Sequence, residues 1–302
     1  MQSIPWHGVG LVFHTALVDF VRDHRDAFDF LEIMPDTHWL ETMEHGAPVL
    51  VDAPDSIMFL DALRDDGVAM VIHSIGLSIA SASHFDRRHL AHIADWVRRY
   101  GCAWHSDHLA STRVIDEAGR RLDVGFPMAP PYDQDVLDFL VERVAAVHAS
   151  VPGPFLLENN VNYYTIAEQD MTEAGFLNEL ARRSGCGVLL DLHNLYANAR
   201  NHAFDPYEFL AELDLGNVLE IHMAGGIEWE GVYLDAHAGA CPPEVWTLLE
   251  HVVPRAPRLR GVTFEVFPSW YPDLGPRALC DELSRIRALI GSREQEVVRV
   301  AG

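Results

Sequence analysis

Residues 187–194 read GVLLDLHN, a short continuous apolar run closed by an aspartate. A run of that length and composition fits a strand buried on both faces, as in a parallel sheet. β-rich runs of similar length recur at about residues 8–13, 29–34, 68–73, 104–109, 155–159, 187–191, 218–223 and 261–266. Between them lie stretches of helical periodicity at 15–27, 56–66, 86–100, 133–149, 173–184, 206–214, 243–252 and 276–290. Asp205-Pro206 and Pro242-Pro243 supply helix start signals. Eight strand-helix units predict an α/β protein, a single (β/α)8 TIM barrel over residues 1–302 with a short polar tail that frays after about 291. An open doubly wound sheet is the alternative. Three long connections, 110–132, 192–204 and 224–241, leave the C-terminal ends of strands and would wall the mouth of such a barrel as loops.

Seven of the eight strands close on a carboxylate or an imidazole: Glu32, His73, His108, Glu158, Asp191, His222 and Glu265. With 45 acidic residues and 17 histidines among 302, one such group near a strand end is common; seven in order are not. In a parallel barrel all seven share one rim, where such barrels build their active sites. Carboxylates and imidazoles gathered in one cavity repel and desolvate one another unless a cation compensates them.

The donors are nitrogen and oxygen only, which disfavours iron-sulfur clusters and structural zinc and leaves iron, manganese or catalytic zinc. They exceed what one ion needs, so two or three ions sharing carboxylates would use them, with Glu158 and Glu265 as candidate bridges. The loops add Asp235 and His237 in LDAHAG and His193 and Asn194 in LLDLHNLY. In an extended Asp-x-His segment both side chains point the same way and can grip one ion.

Composition narrows the function further. The formal net charge is −23, and all 22 basic residues are arginine. Without lysine, no Schiff base can form with a carbonyl substrate or pyridoxal phosphate. A strongly acidic surface repels phosphate backbones and argues against nucleic acid as a partner. Neither a signal peptide nor a membrane span is visible. Cys102, Cys186, Cys241 and Cys280 are scattered without a C-x-x-C pair, the usage expected of reduced thiols in the cytoplasm.

The segments HSIGLSIAS, SDHLA, FLLENN, VLLDLHNLYANARNH, LEIHMAGG, LDAHAG and FEVF, between His73 and Phe267, occur in the order of the signatures of a known family. The chain resembles the multinuclear non-heme iron-dependent oxidative enzymes, the group that contains the methanobactin oxidase MbnB and TglH, over about residues 8–267. The resemblance implies a xylose isomerase-like TIM barrel that holds two or three irons, mixed Fe(II) and Fe(III), with dioxygen as co-substrate. The expected substrate is a residue, often cysteine in the family, of a ribosomally made precursor peptide. Carried over motif by motif, the implied iron ligands are His73, His108, Glu158, Asp191, Asn194, His222, Asp235, His237 and Glu265, with Asp191, His193 and Glu265 assigned to catalysis. Because the chain ends soon after the barrel, a separate leader-recognition protein or a direct leader contact is expected.

The sequence departs from the family at Asp107, where glutamate is usual, at His193, where asparagine is common, in LEIMPDTHW after the second strand, and in GVGLVFH, which lacks an arginine. His193 is either an extra ligand or a hydrogen-bond partner. Alternation along the strand turns Asp107 away from His108. Glu32, whose surroundings match least, is expected on the substrate side. Two other enzyme classes share the donor set: a divalent-metal sugar isomerase or epimerase, which often uses a lysine, and a trinuclear zinc phosphodiesterase, which the net charge disfavours.

Overall fold

The computed structural model describes residues 4–45 and 47–301, and of residues 47–48 and 292–301 only the backbone. Eight strands close a barrel: β1 (Gly8–Phe13), β2 (Phe30–Ile33), β5 (Ala69–Ser74), β6 (His105–His108), β9 (Phe155–Glu158), β10 (Gly187–Asp191), β11 (Val218–Ala224) and β14 (Gly261–Glu265). Each pairs in parallel with the next, and β1 returns to β14 through Gly8 opposite Gly261. The barrel expected from the apolar runs is the one observed.

Side-chain alternation sorts two cores. Phe30, Val71, Trp104, Leu156, Leu189 and Leu219 plug the barrel interior. Their strand neighbours Leu31, Ile72, Phe155, Leu157, Val188 and Leu190 join the larger cluster under the helices. Gly261 keeps the plug tight, since a Cβ there would come within 2.7 Å of the Phe30 ring. Between Val188 and Leu189 the β10–β11 register shifts by one residue, a bulge that turns Leu219 into the plug while Glu220 also faces inward.

The outer helices are α1 (Val18–Asp23), α2 (Pro54–Asp65), α3 (Arg87–Tyr100), α4 (Gln134–Ser150), α5 (Glu173–Ser184), α6 (Leu192–His202), α7 (Pro206–Glu212), α8 (Pro243–Val252) and α9 (Tyr271–Ala301), the last broken at Gly275. Asp86, Asp133, Thr172, Asp191 and Asp205 cap α3, α4, α5, α6 and α7 through side-chain oxygens that accept orphan N–H groups. The stretch 15–27 is a short α1 flanked by 3-10 turns rather than one helix. The backbone of α9 runs through the polar tail to Ala301.

The connections at the C-terminal rim are more ordered than loops. Residues 192–204 are largely α6. The other connections hold the hairpins β3 (Trp39–Glu44) with β4 (Ala47–Asp52), β7 (Ser111–Ile115) with β8 (Arg121–Met128), and β12 (Ile227–Trp229) with β13 (Val232–Leu234), of which β7–β8 lines the cavity at the mouth. All four cysteines are free thiols. Among the described residues no helix is long and apolar enough to cross a membrane.

Candidate metal centre

Parallel register sets the height of each donor. His108 of β6 stands opposite Glu158 of β9, and Asp191 of β10 opposite His222 of β11. Strand ends alone would leave these side chains loose, and the turns that follow hold them. Asp191 is the N-cap of α6: its Oδ1 accepts the Asn194 N–H at 2.7 Å, which leaves Oδ2 unpartnered. The N-terminus of α6 also brings its positive dipole end to the carboxylates. Ser106 donates its hydroxyl to the Ile72 carbonyl at 3.2 Å and so accepts from His73 Nδ1 at 2.9 Å. The lone pair of His73 Nε2 is thereby left facing Glu158.

Glu158 lies at the centre. Its Oε2 is 2.9 Å from His108 Nδ1 and 3.3 Å from His73 Nε2, while its Oε1 is 4.0 Å from His222 Nδ1 and accepts from Asn194 Nδ2 at 3.2 Å. Glu265 Oε2 stands 3.2 Å from His222 Nδ1 and 3.6 Å from His237 Nε2. Asp235 Oδ1 is 3.1 Å from His237 Nε2 and 3.0 Å from His193 Nδ1. Three overlapping groups, His73–His108–Glu158, Glu158–Asp191–His222 and Glu32–His222–Glu265, each bring donor atoms within 4.8 Å of one another.

These contacts differ from ordinary ion pairs. His108 Nδ1, Glu158 Oε2, Asp191 Oδ2, Asn194 Oδ1, His222 Nδ1 and Asp235 Oδ1 are all buried, and although several stand about 3 Å from an oppositely charged group, none makes a well-directed hydrogen bond. An unpaired buried polar atom costs about 1–3 kcal/mol. Bonds of about 2.1 Å at right angles place adjacent ligand atoms about 3.0 Å apart, the spacing seen between these imidazole and carboxylate atoms. The donor set therefore fits a cation and, by its hardness, a nitrogen-oxygen metal.

Electrostatics tell the same story. Burial pushes the Asp191 carboxyl well up, and the Glu158 and Glu265 carboxylates add to the rise. Burial also drives His73 down, helped by His108 and His222. Against burial, Glu158 holds His108 up at about 9 and Asp235 holds His237 up at about 10. Glu265, although buried, is held down at about 2 by His222 and His237. Without a cation these groups must exchange charge among themselves.

Every expected ligand meets in this cluster. His193 sits behind it, fully buried, with Nδ1 toward Asp235 and Nε2 3.2 Å from the Tyr233 hydroxyl. Its polar neighbours are thus Asp235 and Tyr233. Glu32 also differs from its expected place on the substrate side: it is fully buried, 3.1 Å from His222 Nε2. Asp107 faces outward as alternation requires and accepts the Leu77 N–H at 3.2 Å, and burial followed by the Asp36 charge raises its carboxyl to about 7. Four further residues build the site without having been singled out in the sequence: Ser106, Tyr233, Glu220 and Asn159, whose Oδ1 accepts the Asp191 N–H at 2.8 Å and whose Nδ2 donates to the Asp191 carbonyl at 2.9 Å. Glu220 carries a signal, since it lies two residues before His222 in VLEIH and so on the same strand face.

His237 adopts a left-handed backbone, φ 43°, a strained state for a residue with a Cβ. The Phe267 N–H, which donates to the His237 carbonyl at 3.0 Å, and the Phe267 ring, centred 4.2 Å from the imidazole, hold it there. A cavity of about 580 Å3 opens above the cluster, with His73, His108, Glu158, Asp235 and Glu265 at its floor and Met34, Ile75, Phe126, Pro127 and Phe267 in its walls.

Residues 8–290 match the family of the RiPP precursor modification enzymes MbnB/TglH/ChrH. The chain belongs to this family. A UPF0276 protein of Anaeromyxobacter sp. strain Fw109-5 is 35% identical over 231 residues that cover 76% of this chain and 79% of the relative. Another is a UPF0276 protein of Caulobacter vibrioides, 31% identical over 251 residues, 83% of this chain and 84% of that one. The fold is shared more widely. The D-psicose 3-epimerase of Clostridium cellulolyticum H10 superposes with a TM-score of 0.57 at 12% identity, over 95% of this chain and 98% of the epimerase. A candidate xylose isomerase of Rhodospirillum rubrum does so with a TM-score of 0.57 at 13% identity, over 94% and 99%. The MbnB/TglH/ChrH member described here is thus a xylose isomerase-like barrel whose family modifies ribosomally synthesised precursors.

Proposed function

We propose that the protein is an iron- and dioxygen-dependent oxidase that modifies a residue, with cysteine as the leading candidate, of a ribosomally made precursor peptide. The observation that supports this most is the convergence of unpartnered buried nitrogen and oxygen donors below an open, apolar-walled cavity in a chain of this family. Two or three irons in mixed Fe(II) and Fe(III) states would supply Lewis acidity toward a substrate heteroatom and one-electron chemistry toward dioxygen.

The protein's own part is placement. His73, His108 and Glu158 would hold one ion, and Glu158, which faces His73, His108 and His222, and Glu265, which faces His222 and His237, would contribute to neighbouring ones. Asp191, Asn194, His222, Asp235 and His237 complete the set, and His193 steadies Asp235 from behind. The walls, with Ile75, Phe126 and Phe267, exclude bulk water from a bound side chain. A cavity of about 580 Å3 suits one side chain with its flanking backbone, which matches a peptide better than a folded protein.

The test is metal analysis after iron-supplemented expression, joined to co-expression with short peptides encoded beside the gene and mass measurement of those peptides. At least one equivalent of iron, oxygen consumption and a peptide mass change are expected. Less than one equivalent of any metal, or unchanged mass for every neighbouring peptide, overturns the proposal. Zinc alone without oxygen consumption would point to a hydrolase.

A further inference from the structure

We propose, resting on the metal-centre reading above, that Glu32 is a positioning residue: it accepts the Nε2–H of His222 and so turns Nδ1 toward the ions, with Glu220 bracing the pair from below.

Both Glu32 carboxylate oxygens lie 3.1 Å from His222 Nε2. The two nitrogens of an imidazole diverge, so what binds one is out of reach of the other's lone pair. On the Nδ1 side stand Glu265 Oε2 at 3.2 Å and Glu158 Oε1 at 4.0 Å, and Nδ1 itself has no hydrogen-bond partner. An ion that gathers Glu158, Asp191 and Glu265 must meet Nδ1. Glu32 then occupies the opposite edge of the ring, where a carboxylate fixes the tautomer and raises the basicity of the ligating nitrogen.

The support continues into the barrel. Glu220 Oε2 accepts from Trp104 Nε1 at 2.6 Å, and its Oε1 accepts from Thr263 Oγ1 at 2.7 Å. Glu220 Oε1 is also 4.0 Å from His222 Nε2. Trp104 and Thr263 therefore fix the Glu220 carboxylate beside the Glu32–His222 pair. Barrel interiors are ordinarily filled by branched apolar side chains. Two fully buried glutamates here cost folding energy that an apolar pair would save, and holding a ligand in orientation is what that cost obtains.

Binding of Zn2+, measured by competition with a chromophoric chelator, and the visible spectrum of the Co2+-loaded protein test the assignment in Glu32→Gln and Glu32→Met. Glutamine keeps an oxygen that accepts Nε2–H; methionine fills the volume without one. Glu32→Met should bind roughly 10–100-fold more weakly with a shifted Co2+ spectrum, while Glu32→Gln stays near wild type in both. Wild-type affinity and spectrum in Glu32→Met overturn the assignment. So does a Glu32→Gln variant that loses one ion at saturation, which makes Glu32 itself a ligand. A wild-type protein that binds no ion defeats the metal reading as a whole, and the two failures are thereby told apart.

Discussion

Glu158 joins more of the centre than any other side chain, because its two oxygens face different histidines. Glu158→Gln, which keeps shape but halves the acceptor capacity, should reduce bound metal by at least one equivalent in elemental analysis. A fully metallated Glu158→Gln protein would mean that the ions sit elsewhere. His193 acts one step removed. His193→Ala strips Asp235 Oδ1 of one of its two imidazole neighbours, so affinity should fall roughly 10–100-fold while saturating stoichiometry is retained. Loss of a whole ion instead would make His193 a ligand. At this scale the strand-end residues were legible because each closes an apolar run. Glu32 was read among them, but its role was not legible, since its neighbours in LEIMPDTHW say nothing of a histidine 190 residues away.

The elements that carry the donors were legible in proportion to how local their signals are. Eight strands could be read from apolar runs because burial on both faces leaves a continuous mark. Helix α6 was hidden: Leu192, Leu195, Tyr196 and Ala199 keep helical spacing, but Asn194, Asn198 and Asn201 are weak helix formers and read as loop. The bulge at Leu219 and the hairpins at the rim depend on pairings that no single segment encodes. Gly226, where β11 passes into the β12–β13 hairpin, shows how tight that connection is. A Cβ there would lie 2.5 Å from the Leu234 carbonyl oxygen and 2.7 Å from His193 Nε2. Gly226→Ala should cost about 1–3 kcal/mol in denaturant unfolding and weaken metal binding at Asp235 and His237; a neutral substitution would refute this packing. On α5, burial raises the Glu173 carboxyl to about 7 against a hydrogen bond with Tyr132 that lowers it. The folded state thus keeps a proton that the unfolded chain, with its ordinary value of 4.5, has released. The contribution of this group to stability is full below pH 4.5, falls as pH rises to about 7 and is flat above. Glu173→Gln should remove that decline, on the order of 3 kcal/mol, in unfolding curves collected across the range; parallel wild-type and variant profiles would count against it.

Across the whole molecule, charge and burial pull in opposite directions. A net charge of −23 destabilises the compact state through self-repulsion, and the barrel adds fully buried Glu32, Asp191 and Glu220 at or below the mouth. The plug of Phe30, Trp104 and Leu156 holds the barrel closed from within, so the fold can survive without the ions. The price of that arrangement is a set of unpartnered donors that a cation relieves. Ion binding to the folded chain alone adds RT ln(1 + [L]/Kd), about 2.7 kcal/mol at one hundred times Kd. For a chain of 302 residues this amounts to roughly 5 °C in melting temperature per well-filled site. Calorimetry of the protein as isolated, after chelation and after reloading with iron under anaerobic conditions should therefore show a fall and a recovery of at least that size. Chelated protein should still unfold in a cooperative transition, because the plug and the helix-facing core are intact without metal. Identical melting before and after chelation, with metal shown to have left, would mean that the clustered donors are satisfied without a cation.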